Sequence, residues 1–74
     1  MVYLVDWALK AIYWLSQEDN IRKRTSNEIY AYIELWYGER QLREFKDVNV
    51  LEVAESQGLV REEVINGEEV YSLV

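Results

Sequence analysis

The sequence predicts a small α+β domain, mainly helical, in which three helices precede a C-terminal β-hairpin. Three observations carry that reading. Residues 59 to 74 hold two runs rich in β-branched and aromatic side chains around Asn66-Gly67, the pair that accepts positive φ at both central positions of a type I′ hairpin turn. Upstream, apolar residues recur at helical spacing over about residues 2–17, 26–37 and 40–57. Gly38 and Gly58 stand where two of those patterns stop, as glycines past a helix C-terminus do.

Composition sets the outer bounds. With 74 residues the chain forms one small domain, of a size that buries only about 60% of its unfolded surface. Half of its residues are apolar, including three Trp and six Tyr, so a core is well supplied. There is no Cys and no His, which excludes a disulfide framework and thiolate zinc sites and removes the commonest metal ligand and general base. No glycine-rich phosphate loop or nucleophile motif is present either, so neither an enzyme nor a metal or other cofactor is expected. The apolar N-terminal run carries Asp6 and Lys10, lacks a basic leader and is too short to span a bilayer, so a cytoplasmic protein is expected. Abundant Glu, Tyr and Val without Cys lean toward a thermophilic source.

In residues 2 to 17, Leu4, Ala8, Ala11, Ile12 and Leu15 make a core face, and Tyr3, Trp7 and Trp14 make a second apolar line beside it. A helix apolar around most of its circumference is buried on more than one side. The second side is covered by the hairpin or serves as a dimer seam through Tyr3, Trp7 and Trp14; a membrane-surface helix is disfavoured by the scarcity of Lys and Arg on the polar stripe. Residues 21 to 24 leave room for a short strand. Thr25 and Glu28 then form a capping box that opens the second helix, whose buried face is Ile29, Ile33 and Trp36 with Tyr32 alongside.

Between residues 39 and 57 the apolar positions Leu42, Phe45, Val48, Leu51 and Ala54 suit one long helix. A break is the alternative, with Asp47 capping a new helix. Past Gly58 the two-residue turn fixes the hairpin register: Ile65 faces Glu68, Glu63 faces Val70, Glu62 faces Tyr71 and Val60 faces Leu73. Val60, Tyr71 and Leu73 share the face expected to pack on helices.

The order helix, short strand, helix, helix, hairpin resembles the winged helix-turn-helix superfamily over nearly the whole chain. The residues that carry the resemblance are Val50-Leu51-Glu52-Val53-Ala54-Glu55-Ser56-Gln57-Gly58-Leu59-Val60 and the final strand Glu69-Val70-Tyr71-Ser72-Leu73. In that superfamily the third helix ends in a similar apolar-x-x-x-Gly-Leu-Val step, and the hairpin, or wing, ends in a similar aromatic strand. The segment between Ile29 and Gly58 is several residues longer than in compact members.

The resemblance implies double-stranded DNA binding with the third helix in the major groove and the wing beside the backbone, and the function expected is a transcriptional regulator, dimeric through the N-terminal helix. On this chain it points to Arg40, Gln41, Arg43 and Lys46, with Asn49 if the helix continues, and to Arg22, Lys23 and Arg24 before the Thr25 cap. Charge follows that division only in part. Residues 1 to 21 contribute −2, residues 22 to 46 contribute +2 and residues 47 to 74 contribute −6. Glu62, Glu63, Glu68 and Glu69 make the wing tip repel phosphate, so any DNA contact is expected from residues 22 to 46. The bland reading of those basic side chains is ordinary solvated ion pairing with acids such as Glu39 and Glu44. The alternative function is a protein-interaction or dimerisation module that does not bind DNA.

Overall fold

The computed structural model describes residues 2 to 74, at Val2 the backbone alone. Helix α1 (Val2–Asp19) buries Leu4, Val5, Ala8, Ala11 and Ile12 along one face. It stops at Asn20, whose φ of 62° is the left-handed conformation that asparagine tolerates; its N–H donates to the Ser16 carbonyl at 2.9 Å. Strand β1 (Arg24–Thr25) follows, beginning at the last residue of the stretch expected for it and ending one residue past it. Thr25 also caps helix α2 (Ser26–Tyr37): its Oγ1 accepts from the Glu28 N–H at 3.2 Å, and Glu28 Oε1 accepts from the Thr25 N–H at 3.1 Å.

Of the two arrangements open for residues 39 to 57, the structure takes the break, as helices α3 (Glu39–Asp47) and α4 (Val50–Ser56) rather than one helix over about 40–57. The joint is Asn49, at φ 51° and ψ 52°. Its N–H donates to Lys46 O at 3.1 Å and its carbonyl accepts from the Val53 N–H at 3.1 Å, so one residue ends the first helix and begins the second. Asp47 is the last residue of α3 rather than a cap. Burial explains the break. Nine residues of straight helix would place Phe45 and Ala54 on opposite sides, at about 100° per residue. Both are fully buried in one core, and the bend at Asn49 turns them toward it together. Helix α3 consequently packs on α2, away from the sheet.

At Gly58, φ is 75°; its N–H reaches Glu55 O at 2.9 Å and the Leu59 N–H reaches Ala54 O at 3.0 Å, a Schellman ending for α4. Strands β2 (Val60–Ile65) and β3 (Glu68–Leu73) pair antiparallel in the register that the Asn-Gly turn specifies, with Asn66 at φ 52° and Gly67 at φ 80°. Strand β1 adds to β3, with Arg24 opposite Tyr71 and Thr25 opposite Val70, giving the order β1-β3-β2. The sheet's burial differs from expectation in one respect. Val60 and Tyr71 are buried, but Leu73 is 40% exposed and Val70, on the opposite face, is buried. The two-residue β1 covers the middle of β3 and leaves its end open.

Arg24 is the buried charged residue among the described residues, at 4% exposure. Its Nε donates to Ile21 O at 3.1 Å, one terminal nitrogen donates to Glu28 Oε2 at 2.6 Å, and the other meets Leu15 O at 2.9 Å and Asp19 Oδ1. The guanidinium thus ties the end of α1, the connection and the start of α2 together. The hydrogen bond from Arg24, joined by one from the Ile21 N–H, holds the Asp19 carboxyl below its usual range. Burial pushes Glu28 up, but the Thr25 N–H and Arg24 outweigh it and the net shift is downward.

Carboxylates with depressed native pKa values stabilise the fold above their unfolded values and lose that contribution as the pH falls through the native ones. Arg24→Met removes the cause that the two carboxylates share, leaving the Ile21 and Thr25 N–H groups in place. It is expected to cost about 2–4 kcal/mol at pH 7, less than for a fully buried pair because both carboxylates face water on one side. Urea denaturation at neutral and acidic pH should show the difference from the parent protein narrowing below about pH 4, where both carboxyls protonate in the unfolded chain.

Candidate interaction site

The basic residues of segment 22 to 46 do not form one surface. Arg24 is buried among its four partners and is withdrawn from any ligand. Lys23 pairs with Glu63 at 3.1 Å and, with Arg22, lines a groove beside the second half of α1. Arg40, Arg43 and Lys46 lie exposed on α3, with Gln41 half-buried. The Tyr3 hydroxyl donates to Glu44 at 2.6 Å and so joins α3 to the start of α1, whereas Ser16 and Gln17 line the Arg22 groove. Thirteen residues of helix between Tyr3 and Ser16 put the two clusters about 20 Å apart.

Neither cluster sits on the helix that leads into the hairpin. That helix is α4, and it carries Glu52 and Glu55 without a basic residue. Helix α3 carries three basic and three acidic side chains, so its charges cancel. Arg43 lies 3.9 Å from Glu39, and the Lys46 ammonium stands 5.0 Å over the Tyr30 ring. Asn49 serves as the joint between the helices.

The hairpin and α4 enclose an acidic groove with Glu52, Glu55, Glu62 and Glu69 around the buried Tyr71. The Tyr71 hydroxyl donates to Glu69 Oε2 at 3.0 Å. Desolvation first, then the carboxylates of Glu55 and Glu69, push Glu62 above the usual carboxylate range. Tyr71 is itself held strongly neutral by burial and by Glu69. Among the described residues, no group of three or more acidic side chains is arranged to hold a metal ion.

The aromatic line on α1 divides. Trp7 is half-buried and stacks on Tyr37 with centroids 4.1 Å apart and planes 9° from parallel; Tyr3 meets its edge at 5.4 Å. The end of α2, not the hairpin, covers that side of α1. Trp14 remains 53% exposed beside a groove of about 640 Å³ between α1 and α2. Leu15, Ala31, Tyr32, Leu35 and Trp36 line it with Trp14, and Glu18 and Glu28 stand at its rim.

Trp36, expected in the core with Ile29 and Ile33, is 66% exposed, and Leu35 is 80% exposed. Leu35 lies off the arc of Ile29 and Ile33, and an apolar residue placed there is the signal in the sequence for this surface. Arg61, which joins Arg22 and Lys23 across the fold, is marked by no local signal.

Glu62 gives a stability test. Its raised native pKa means that the native state binds the proton more readily than the unfolded chain, so its contribution worsens as the pH rises through the native value. Glu62→Gln should raise the melting temperature at pH 7, and the gain should disappear below the unfolded value of about 4.5. Calorimetry across that range checks it.

No family model, curated protein or solved structure matches this chain.

Proposed function

We propose that the chain is a protein-interaction module whose partner is a second copy of itself, docked through the apolar face shared by α1 and α2. The observation that supports this reading is the exposed cluster of Trp14, Leu35 and Trp36 over the α1–α2 groove. Contiguous apolar surface of this kind, edged by charges, marks a docking face. A standard dimer interface takes about 800 Å² per protomer, roughly a sixth of the 5082 Å² that the chain exposes.

Charge supplies the orientation. Lys10, Trp14 and Glu18 lie at successive four-residue steps along α1, and the Lys10 ammonium, 3.1 Å from Asp6 in the single chain, is exposed to meet a second acid. Burial pushes the Tyr32 hydroxyl up; among the smaller influences Glu18 adds to the shift and Lys10 opposes it, so both charges act at this face. A two-fold axis across α1 at Trp14 exchanges the steps on either side. It sets Trp14 against its own copy and Lys10 opposite Glu18 of the second copy, twice over. The parallel arrangement would set like charges together.

Sedimentation should find dimers of the parent protein and monomers of Leu35→Glu. Lys10→Glu and Glu18→Lys alone should each weaken association about tenfold, because each homodimer then holds two like-charge contacts. Mixed together, the two variants should form heterodimers in preference to either homodimer, since both contacts are again opposite in sign. A monomeric parent protein rejects the dimer. Absence of heterodimer preference rejects the orientation alone.

A second reading is duplex DNA binding by α3. It is favoured by one observation, the exposure of Arg40, Arg43 and Lys46 on a single short helix. That reading expects affinity for random-sequence duplex to fall steeply between low and high salt and to vanish in Arg40→Glu with Arg43→Glu. An affinity unchanged in the double variant removes these residues from consideration.

A further inference from the structure

The groove of about 490 Å³ beside the second half of α1 is built from three segments distant in sequence. Tyr13 and Gln17 come from α1, Arg22 and Lys23 from the connection to β1, and Arg61, Glu63 and Ser72 from the hairpin. Three of the chain's eight basic side chains meet here although the chain as a whole carries −6. Arg61 and Ser72 are register partners and stand side by side on the sheet. The Lys23–Glu63 pair, at 3.1 Å, fastens the connection to β2 and neutralises both of its members.

What remains is a set of donors. Among the described residues, Arg22 and Arg61 have no ion-pair partner, and the Gln17 amide and Ser72 hydroxyl have no protein hydrogen-bond partner. Two carbonyls near the end of α1 are already occupied. Leu15 O is taken by Arg24, and Ser16 O by the Asn20 N–H.

Two guanidiniums facing one groove repel each other unless an anion lies between them, and the planar fork of arginine matches the oxygens of a phosphate. An apolar wall complements the charge. The half-exposed Tyr13 ring and Leu73 line the same groove, which falls within the usual volume of a small-molecule site. We infer that this groove binds a nucleotide unit, its phosphate held by Arg22 and Arg61 with donors from Gln17 and Ser72, and its base against Tyr13. The unit has two possible sources, a free mononucleotide or a single-stranded nucleic acid, and the inference does not depend on self-association.

The test titrates the intact protein with AMP, with a short oligothymidylate and with inorganic phosphate, following backbone and arginine side-chain resonances. AMP or the oligonucleotide should shift the signals of Gln17, Arg22, Arg61 and Ser72. Binding should weaken about tenfold for each guanidinium lost in Arg22→Gln and Arg61→Gln, and stay unchanged in Arg40→Gln. Tighter binding of the oligonucleotide than of AMP identifies a nucleic acid as the source, and equal or weaker binding identifies a free nucleotide. Both variants alter exposed side chains, and their far-ultraviolet circular dichroism should match that of the parent protein. The inference is overturned if neither ligand shifts these signals, if Arg22→Gln combined with Arg61→Gln binds as well as the parent protein, or if inorganic phosphate binds as tightly as AMP.

Discussion

A guanidinium removed from water must find a partner for nearly every N–H it carries, and Arg24 does so within nine residues of chain. Its acceptors are the last turns of α1, the connection behind them and the capping glutamate of α2. The desolvation cost, several kcal/mol for a bare ion, is offset because both carboxylates are charged and half in water. The same residue pairs through its backbone with Tyr71, and Thr25 beside it closes both the strand and the helix cap. Two adjacent residues therefore fix where α1 ends, where α2 begins and where the sheet gains its third strand.

That fixed corner decides which surfaces the rest of the chain can offer. With Arg24 turned inward, the basic triplet of residues 22 to 24 contributes two cations to the outside, and these face the hairpin's Arg61 rather than α3. The bend at Asn49 separates the cations of α3 from the helix that enters the hairpin, and that helix is acidic. The apolar face is spared these divisions. Trp14 and the end of α2 lie together because the Arg24 corner brings α1 and α2 alongside each other.

Local chemistry made much of this fold readable. Asn66-Gly67 determines a turn and hence a register, Thr25 and Glu28 determine a helix start, and Gly58 a helix end, because each rests on contacts a few residues apart. The break at Asn49 is harder to read. Asparagine enters the left-handed region at modest cost, but Asp47 offered an equally good local signal, and the choice was made by the distant requirement that Phe45 and Ala54 share a core. Periodicity placed Trp36 on the arc of Ile29 and Ile33, yet it gives direction only and not how far along the helix its neighbour reaches. Nothing in a run of Arg-Lys-Arg tells which side chain turns inward. Only the flanking Asp19 and Glu28, at distances a buried Arg24 can span, mark the third. The Arg61 groove depends on contacts some forty residues apart, as the Lys23–Glu63 pair shows, and is invisible to any local pattern.

The acidic ring around Tyr71 has a consequence for how the molecule exchanges protons with its surroundings. Without His or Cys, no side chain has an ordinary pKa between about 6 and 8, so the protein's side-chain charge is constant across that interval unless a carboxylate is pushed toward it. Glu62 is the described carboxylate pushed in that direction, by desolvation and by the neighbours gathered at the hairpin. Glu62 therefore takes up its proton at a higher pH than an ordinary carboxylate, and part of the acidic ring's charge is lost there.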